Sequence, residues 1–247
     1  MQAPVFELRG VTKRYSGAAA VGPIDLRIDE GGTTALIGPS GAGKSTLLRL
    51  LNGLLVPESG EIRFRGEPLP RGDALPAVRR QLGYAVQGGA LFPHLDAEGN
   101  VALVARFLGW DEGRIAARIA ALLDVVRLPR DALGRFPAQL SGGQAQRVSL
   151  MRALMLDPSV LLLDEPLGAL DPITRFELQE DLRDAFARLR KTVVLVTHDL
   201  AEAAFFAARI VLLRDGIVVQ EGTLTELIQA PRDAFVTRFV RAQRQAP

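Results

Sequence analysis

One eight-residue segment restricts the fold of this chain more than any other. Residues 38–45 read Gly-Pro-Ser-Gly-Ala-Gly-Lys-Ser and match the pattern G-x-x-x-x-G-K-[ST]. A short apolar run, Thr33–Ile37, precedes the segment, and leucines at helical spacing follow it. This order predicts a buried strand, a glycine-rich turn and a helix in succession. The sequence therefore predicts an α/β fold built around a phosphate-binding loop.

The residue types in this loop indicate how it would hold a phosphate chain. Its glycines let backbone N–H groups point inward, and the start of the following helix adds about half a positive charge. Lys44 can reach the β- and γ-phosphates, and the Ser45 hydroxyl can coordinate Mg²⁺. We therefore predict binding of a nucleoside triphosphate with Mg²⁺. The loop positions are Gly38, Pro39, Ser40, Gly41, Ala42, Gly43, Lys44 and Ser45.

Two carboxylates follow a second apolar run. Val160–Leu163 is continuously apolar, as expected for a strand buried on both faces of a parallel sheet, and Asp164 and Glu165 come directly after it. A carboxylate at that position can hold Mg²⁺ through water, which is the role predicted for Asp164. Glu165 can orient and deprotonate an attacking water, so we predict that it is the general base of phosphoryl transfer.

A second phosphate-binding device is predicted near the middle of the chain. Ser141, Gly142, Gly143 and Gln144 precede a helical run, which indicates a second helix start with Ser141 as N-cap and exposed N–H donors. The sequence contains one complete phosphate loop. A two-fold dimer would use both devices, because each Ser141 helix would then cap the γ-phosphate held by Lys44 of the second copy, with two ATP molecules in between.

Patterning along the chain divides it into three zones. Strands and one helix are predicted over residues 1–87, helices over 88–157, and alternating strands and helices from Val160, including a hairpin at Asp215-Gly216. We expect an ATP-binding core with a mainly parallel sheet and an antiparallel β part over 1–87 and 158–222. A helical subdomain over 88–157 carries Ser141, and 223–247 forms a C-terminal helical tail.

The motifs resemble, in their order along the chain, those of the ATP-binding subunits of ABC transporters. The resemblance runs from about Val5 to Gly222 and implies the ABC-type nucleotide-binding domain of P-loop NTPases. It extends the cofactor-binding residues to Thr46 and implies that Ser141–Gln144 bind nucleotide. The segments that carry it are Gly38–Thr46, Gln87, Leu140–Gln144, Val160–Glu165, Ala169–Asp171 and His198.

The resemblance also implies roles for residues whose type alone indicates little. Tyr15 would stack on adenine, although a single tyrosine is more often a core residue. Gln87 would contact Mg²⁺ or the attacking water and report to a membrane subunit. Asp171 would cross the dimer interface, and His198 would sense the γ-phosphate together with Glu165.

Two positions depart from the family pattern. Gly168 stands where many relatives have serine, so one interface hydrogen bond is not expected in this chain. Ala145 follows the Ser141 segment where glutamine is frequent, and nothing further is predicted from it. His94, in an apolar loop shortly after Gln87, is predicted to be non-catalytic and to line the groove where a membrane subunit docks.

The segments Gly168–Arg175 and Phe107–Trp110 look most like those of importers of osmoprotectants such as glycine betaine, choline or carnitine. The resemblance implies transmembrane permease subunits and a substrate-binding protein as partners. It also implies a peripheral position on the cytoplasmic face of the membrane. The nucleotide-sensing repeats that some relatives carry at the C-terminus are not expected after Pro247.

Composition and length separate this interpretation from its alternatives. The chain has no cysteine, which excludes disulfide scaffolds and thiolate metal sites. Its 30 basic and 28 acidic residues nearly balance, which argues against a nucleic-acid partner. A transporter for another solute stays open. So does a non-transport ABC ATPase, although the short segment between Gln87 and Ser141 fits only a compact helical insertion. A GTPase or small-molecule kinase would leave Ser141–Gln144 without a function.

Overall fold

The apolar runs and the 3.6-residue periodicities form regular elements over the residues that this computed structural model describes, 4–15, 18–168 and 170–245. The strands are β1 (Pro4–Tyr15), β2 (Ala18–Asp29), β3 (Thr33–Ile37), β4 (Ser59–Phe64), β5 (Glu67–Pro68), β6 (Leu82–Ala85), β7 (Val160–Asp164), β8 (Thr192–Val196), β9 (Arg209–Arg214) and β10 (Ile217–Gly222). The α-helices are α1 (Lys44–Leu51), α2 (Leu75–Arg79), α3 (Ala97–Phe107), α4 (Glu112–Val126), α5 (Gly142–Leu154), α6 (Pro172–Leu189), α7 (Leu200–Phe206), α8 (Leu224–Gln229) and α9 (Ala234–Gln245). Short 3-10 turns lie at Gly72–Ala74, Arg130–Ala132 and Pro137–Gln139.

The chain divides into two compact units. Met1–Arg79 and Thr192–Pro247 form the first, which we call the phosphate-loop unit, and Arg80–Lys191 form the second, the helical unit. The subdomain boundaries at 87/88, 157/158 and 222/223 stay a prediction, because they divide the chain by function and not by compactness.

An antiparallel sheet, ordered β2-β1-β4-β5, occupies one side of the phosphate-loop unit. Phe6 of β1 pairs with Ile28 of β2 and with Phe64 of β4, and the Phe6 and Phe64 rings lie 5.2 Å apart. Apolar and polar residues alternate over Val5–Arg9 and Ile24–Ile28, as in strands with one buried face. In the structure these strands extend to 12 residues each. This confirms the predicted antiparallel β part.

Parallel strands in the same unit hold the phosphate loop. β3 pairs in parallel with β8 on one side and with β9 on the other, and β10 closes the edge against β9 in the predicted hairpin. Ala35, Leu36 and Ile37 are fully buried, which is why β3 has no polar alternation. The chain leaves the carboxyl end of β3 directly into residues 38–43.

The C-terminal helices pack into this unit. Leu227 of α8 and Val236 and Val240 of α9 are buried in one cluster with Ile37 of β3 and Leu212 of β9. Thr223 caps α8 through a capping box with Glu226. The predicted helical tail is therefore part of a hydrophobic core.

The helical unit combines two parallel strands with the longer helices. β6 pairs with β7, and Ile115, Ile119 and Leu122 form the buried stripe of α4, one of the helices predicted over 88–157. Within the described ranges, no helix has both the length and the apolar character needed to cross a bilayer.

Candidate functional site

The phosphate loop owes its shape to glycine at defined positions. Gly38, Gly41 and Gly43 have φ angles of 147°, 78° and 92°, in the region that side chains disfavour. A Cβ atom at Gly38 would lie 2.1 Å from the carbonyl oxygen of Leu213, and one at Gly43 would lie 2.3 Å from that of Ala20. Both backbone curvature and close packing therefore require glycine here.

Lys44 is the first residue of α1 and is held inside the loop that precedes it. Its side chain is buried, and its Nζ donates to the carbonyl oxygens of Gly38 at 2.8 Å and Pro39 at 2.9 Å. Gly43 precedes α1 in a left-handed conformation, and no side chain caps the helix. The ammonium group and the helix start therefore share one small region, as a phosphate site needs. The other predicted loop residues lie in the same turn or in the first turn of α1: Ser40, Ala42, Ser45 and Thr46.

The two carboxylates predicted for catalysis lie at the end of β7 in the helical unit. Asp164 is buried and is the last residue of the strand. Glu165 has a φ of 47°, an unusual value for a residue with a side chain, which turns the chain sharply after the strand. Gln87 Nε2 donates to Glu165 Oε2 at 2.8 Å. The structure therefore brings Gln87 and Glu165 together, which their separation in sequence does not reveal.

The residues predicted to hold Mg²⁺ supply the ligand type that this ion prefers. Ser45 offers a hydroxyl, Asp164 a carboxylate and Gln87 an amide oxygen, all hard oxygen donors. Because the Gln87 nitrogen donates to Glu165, its carbonyl oxygen is the end that can face a metal or a water. No group of three or more histidine, cysteine or acidic side chains suited to a metal occurs in the described part of the chain. This donor set fits an ion bound largely through phosphate oxygens and waters. Ser45 belongs to the phosphate-loop unit and the other two to the helical unit, so their joint coordination stays a prediction.

The second predicted helix start, residues 141–144, forms a closed capping box. Ser141 Oγ accepts from the N–H of Gln144 at 3.2 Å, and Gln144 Oε1 accepts from the N–H of Ser141 at 3.1 Å. Gly142 and Gly143 are the first two residues of α5, where N–H groups have no acceptor inside the helix. A Cβ atom at Gly143 would lie 2.6 Å from Thr174 Cγ2, so glycine permits close packing of α5 on α6.

Asp171 caps α6 next to this contact. Its carboxylate accepts from the N–H of Thr174 at 3.1 Å, and hydrogen bonds from the side chain and backbone of Thr174 lower the pKa of Asp171. Further along the same helices, Arg147 and the buried Asp181 form an ion pair at 2.6 Å. α5 and α6 are thus held together at two places, the Gly143–Thr174 contact near their starts and the Arg147–Asp181 ion pair further along.

His198 follows β8 in the phosphate-loop unit and is exposed. The turn that carries it is held on both sides. Thr197 Oγ1 accepts from the N–H of Asp199 at 3.1 Å and donates to the buried carboxylate of Glu202 at 2.8 Å. The histidine is therefore presented to solvent from a fixed turn.

Tyr15 ends β1 with 45% of its surface exposed. The Nζ atom of Lys13 lies 6.0 Å from its ring centroid and 3.8 Å from Glu58. Because the ring is not buried in the core, this placement favours a surface role such as stacking on a base.

Asn100 is a residue that the sequence patterns do not single out. It is fully buried in α3, accepts from the N–H of Phe92 at 2.7 Å and donates to the carbonyl oxygens of Phe92, Leu95 and Asp96. It therefore fixes the loop that presents Phe92, whose ring contacts His94 edge to face. The available signal was an asparagine directly before the apolar run Val101–Ala105.

Comparisons with known proteins identify the family of this chain. A family model described as ABC transporter matches residues 21–168. The glycine betaine/carnitine/choline transport ATP-binding protein OpuCA of Bacillus subtilis is 43% identical over 241 residues, which are 97% of this chain and 63% of OpuCA. The glycine betaine uptake system ATP-binding protein YehX of Escherichia coli is 43% identical over 95% of this chain and 76% of YehX. The chain thus spans less than two thirds of the length of OpuCA.

A solved structure gives the same result for the fold. The dimeric post-hydrolysis state of the ATP-binding cassette MJ0796, bound to ADP and Pi, has a TM-score of 0.81 and 35% identity to this chain. The match covers 89% of this chain and 98% of that one. The predicted α/β fold with its phosphate loop, antiparallel part and helical part is thereby confirmed. On the family model and these relatives together, the chain belongs to the ABC transporter family.

Proposed function

We propose that this chain is the ATP-hydrolysing motor subunit of an ABC importer of quaternary-amine osmoprotectants. The observation that carries the hydrolytic part is the hydrogen bond from Gln87 to Glu165, beside the buried Asp164. It gives the Glu165 carboxylate a defined orientation, which a general base needs to accept a proton from water. The glycine-dependent loop around Lys44 supports binding of the triphosphate.

The residues divide the chemistry as follows. Lys44 and the start of α1 bind the β- and γ-phosphates, and Glu165 takes a proton from a water that Gln87 helps to orient. The water oxygen forms a bond to the γ-phosphorus as the bond to the bridging oxygen of ADP breaks. Ser45, Asp164 and Gln87 would hold Mg²⁺, which offsets negative charge on the phosphates when bound. His198 contacts the γ-phosphate.

The active form in this proposal is a head-to-tail dimer of two such chains. The first turn of α5 presents the N–H groups of Gly142 and Gly143, and the start of α6 at Asp171 is fixed beside it. Ser141–Gln144 of one copy would contact the ATP held by Lys44 and Tyr15 of the other. ATP binding then closes the dimer, and hydrolysis reopens it.

The names of the relatives support the proposed partners. The relatives OpuCA and YehX are ATP-binding proteins for glycine betaine transport or uptake by name. We propose permease subunits and a substrate-binding protein for this chain, with a peripheral position on the cytoplasmic face of the membrane. Phe92, 43% exposed on the loop that Asn100 fixes, is the proposed contact with a cytoplasmic helix of the permease.

Glu165→Gln tests the hydrolytic role. The variant should bind ATP, lose turnover by about 10²–10⁴-fold and accumulate as an ATP-bound dimer, because the amide cannot accept the proton. Turnover is measured by phosphate release and size by light scattering with ATP. Glu177→Gln, at an exposed position on α6, is the matched control. A monomer with ordinary turnover would refute the role of Glu165.

Uptake into vesicles containing the permease tests the transport role. Glycine betaine should accumulate only with the chain and ATP. Phe92→Ala should lose uptake while its ATP binding stays normal. If the vesicles take up a different solute and no quaternary amine, the proposed motor function stands and the proposed substrate class is wrong. If the complex with the permease hydrolyses ATP but no solute accumulates, the non-transport alternative is favoured.

A further inference from the structure

The loop after Gln87 lies on the helix that begins at Ser141. We call residues 87–91 the Gln87 loop. A Cβ atom built at Gly89 points at α5, 3.6 Å from the carbonyl oxygen of Ala145 and 3.7 Å from Ser149 Cβ. Ala145, Ser149 and Arg152 follow one another at helical spacing and share this face of α5.

Arg152 binds the backbone of the loop directly. Its Nη2 donates to the carbonyl oxygen of Gly89 at 2.8 Å and its Nη1 to that of Ala90 at 2.9 Å. The guanidinium carbon lies 5.9 Å from the ring centroid of Phe92. Among the described residues it forms no ion pair with a carboxylate, and burial lowers the pKa of Arg152. Its charge is therefore directed onto two loop carbonyls.

The loop has a backbone that needs such a restraint. Gly88, Gly89 and Ala90 have φ angles of 72°, 76° and 39° in succession, and Ala90 lacks the conformational freedom of glycine. A strained segment keeps its shape only where surrounding contacts fix it. The side chain that contacts both Gly89 and Ala90 is Arg152, whereas Ser149 Oγ beneath the loop is buried without a hydrogen-bond partner in the described part of the chain.

We propose that Arg152 is a positioning residue that holds the Gln87 loop on α5 and so keeps Gln87 hydrogen-bonded to Glu165. The inference rests on the proposed hydrolytic roles of Gln87 and Glu165.

Arg152→Lys tests the inference, because lysine keeps the charge but cannot bridge both carbonyl groups. We expect kcat for ATP to fall about 10- to 100-fold while KM changes less than about twofold, because the phosphate loop is untouched. In a Gln87→Ala background, Arg152→Lys should lower kcat no further. Equal effects in both backgrounds would show that Arg152 does not act through Gln87.

Two control variants separate positioning from general stability. Arg118→Lys alters a guanidinium that binds the carbonyl oxygens of Leu154 and Met155 at the C-terminal end of α5, and that donates to no group of the Gln87 loop among the described residues. Ser149→Ala removes the hydroxyl that lies under the loop without a bond to it. Both should leave kcat within about twofold of the parent. A loss in either one as large as that in Arg152→Lys would contradict the proposal.

Hydrogen exchange without nucleotide supplies a readout independent of turnover. Amides of residues 86–92 should exchange faster in Arg152→Lys than in the parent or in Arg118→Lys. If the parent hydrolyses no ATP, the proposed function fails, and faster exchange still shows that Arg152 holds the loop. If exchange over 86–92 is unchanged in Arg152→Lys, the inference fails whatever the parent's activity.

Discussion

Two helix starts in this chain are built in opposite ways. α1 begins after Gly43 with no side-chain cap, and the lysine at its first position donates to carbonyl oxygens of its own loop. α5 begins after Ser141, and Gln144 completes a reciprocal capping box. The first start has no side-chain cap of its own, while the second is capped within one chain. We therefore expect the first to bind nucleotide and the second only to contact it.

Lys44→Ala should have the largest effect, because it removes the one side-chain charge from the uncapped start of α1. We expect kcat/KM for ATP to fall about 10²–10³-fold, as for loss of one preorganised donor. ATP at 100 times its Kd should stabilise the parent by about 2.7 kcal/mol and Lys44→Ala far less. Phosphate release and thermal unfolding with and without ATP measure these effects. A variant still stabilised by ATP like the parent would show that α1 does not carry binding.

Gly142→Asp should block contact between the start of α5 and nucleotide while leaving the Ser141–Gln144 capping box in place. Gly142 is exposed, and an aspartate in the first turn favours a helix, so the variant should fold. Its carboxylate would repel the γ-phosphate offered by a second copy, and turnover should be lost. ATP binding at Lys44 of the same chain should remain.

Mixing the two inactive variants tests whether the pocket is shared. In random dimers of Lys44→Ala and Gly142→Asp chains, half are hybrids, and each hybrid has one intact pair of helix starts. Turnover should therefore return to about a quarter of the parent value, if the pockets act independently. If the mixture is as inactive as each variant alone, the starts of α1 and α5 act on the same nucleotide within one chain. The proposed contrast between a binding start and a contacting start of a second copy would then be wrong.

Ser141→Ala should have a smaller effect that is visible in folding. Loss of a serine N-cap costs about 0.5–2 kcal/mol, whereas α1 has no such cap to lose. Urea denaturation of Ser141→Ala and of Ser141→Thr, which keeps the hydroxyl, measures this difference. Equal stability of Ser141→Ala and the parent would show that the capping box contributes nothing.

Local chemistry made both helix starts predictable from sequence. The loop pattern at 38–45, the N-cap Ser141 and the turn at Asp215-Gly216 each depend on a few neighbouring residues, and the structure contains them at these places. The roles assigned to the side chains at these places remain predictions.

Contacts between distant residues were not predictable in the same way. Arg152 reaches carbonyl groups 62 and 63 residues earlier, Gly143 packs on Thr174, and α9 packs on β3 and β9. No periodicity or spacing encodes such pairs, because they depend on how whole elements meet. The glycines of residues 142–143 show the consequence. The sequence indicated open N–H donors, and the structure adds a packing reason for Gly143.

The smallest expected effect concerns pH and extends the comparison to the start of α6. Asp171 is a charged cap with a lowered pKa, so its stabilisation is fully present above the unfolded pKa of about 3.9 and is lost as pH falls through its folded pKa. Ser141 does not titrate. The difference in urea midpoint between the parent and Asp171→Ser should therefore shrink from pH 6 to pH 3, whereas that between the parent and Ser141→Ala should be affected less. Thr174→Val keeps the methyl group near Gly143 but removes the largest cause of the lowered pKa, so in that background the shrinkage should be smaller and should end at a higher pH. If the difference in urea midpoint between the parent and Asp171→Ser stays constant from pH 6 to pH 3, the charge of Asp171 does not contribute to capping. α6 would then be capped like α5, by uncharged hydrogen bonds.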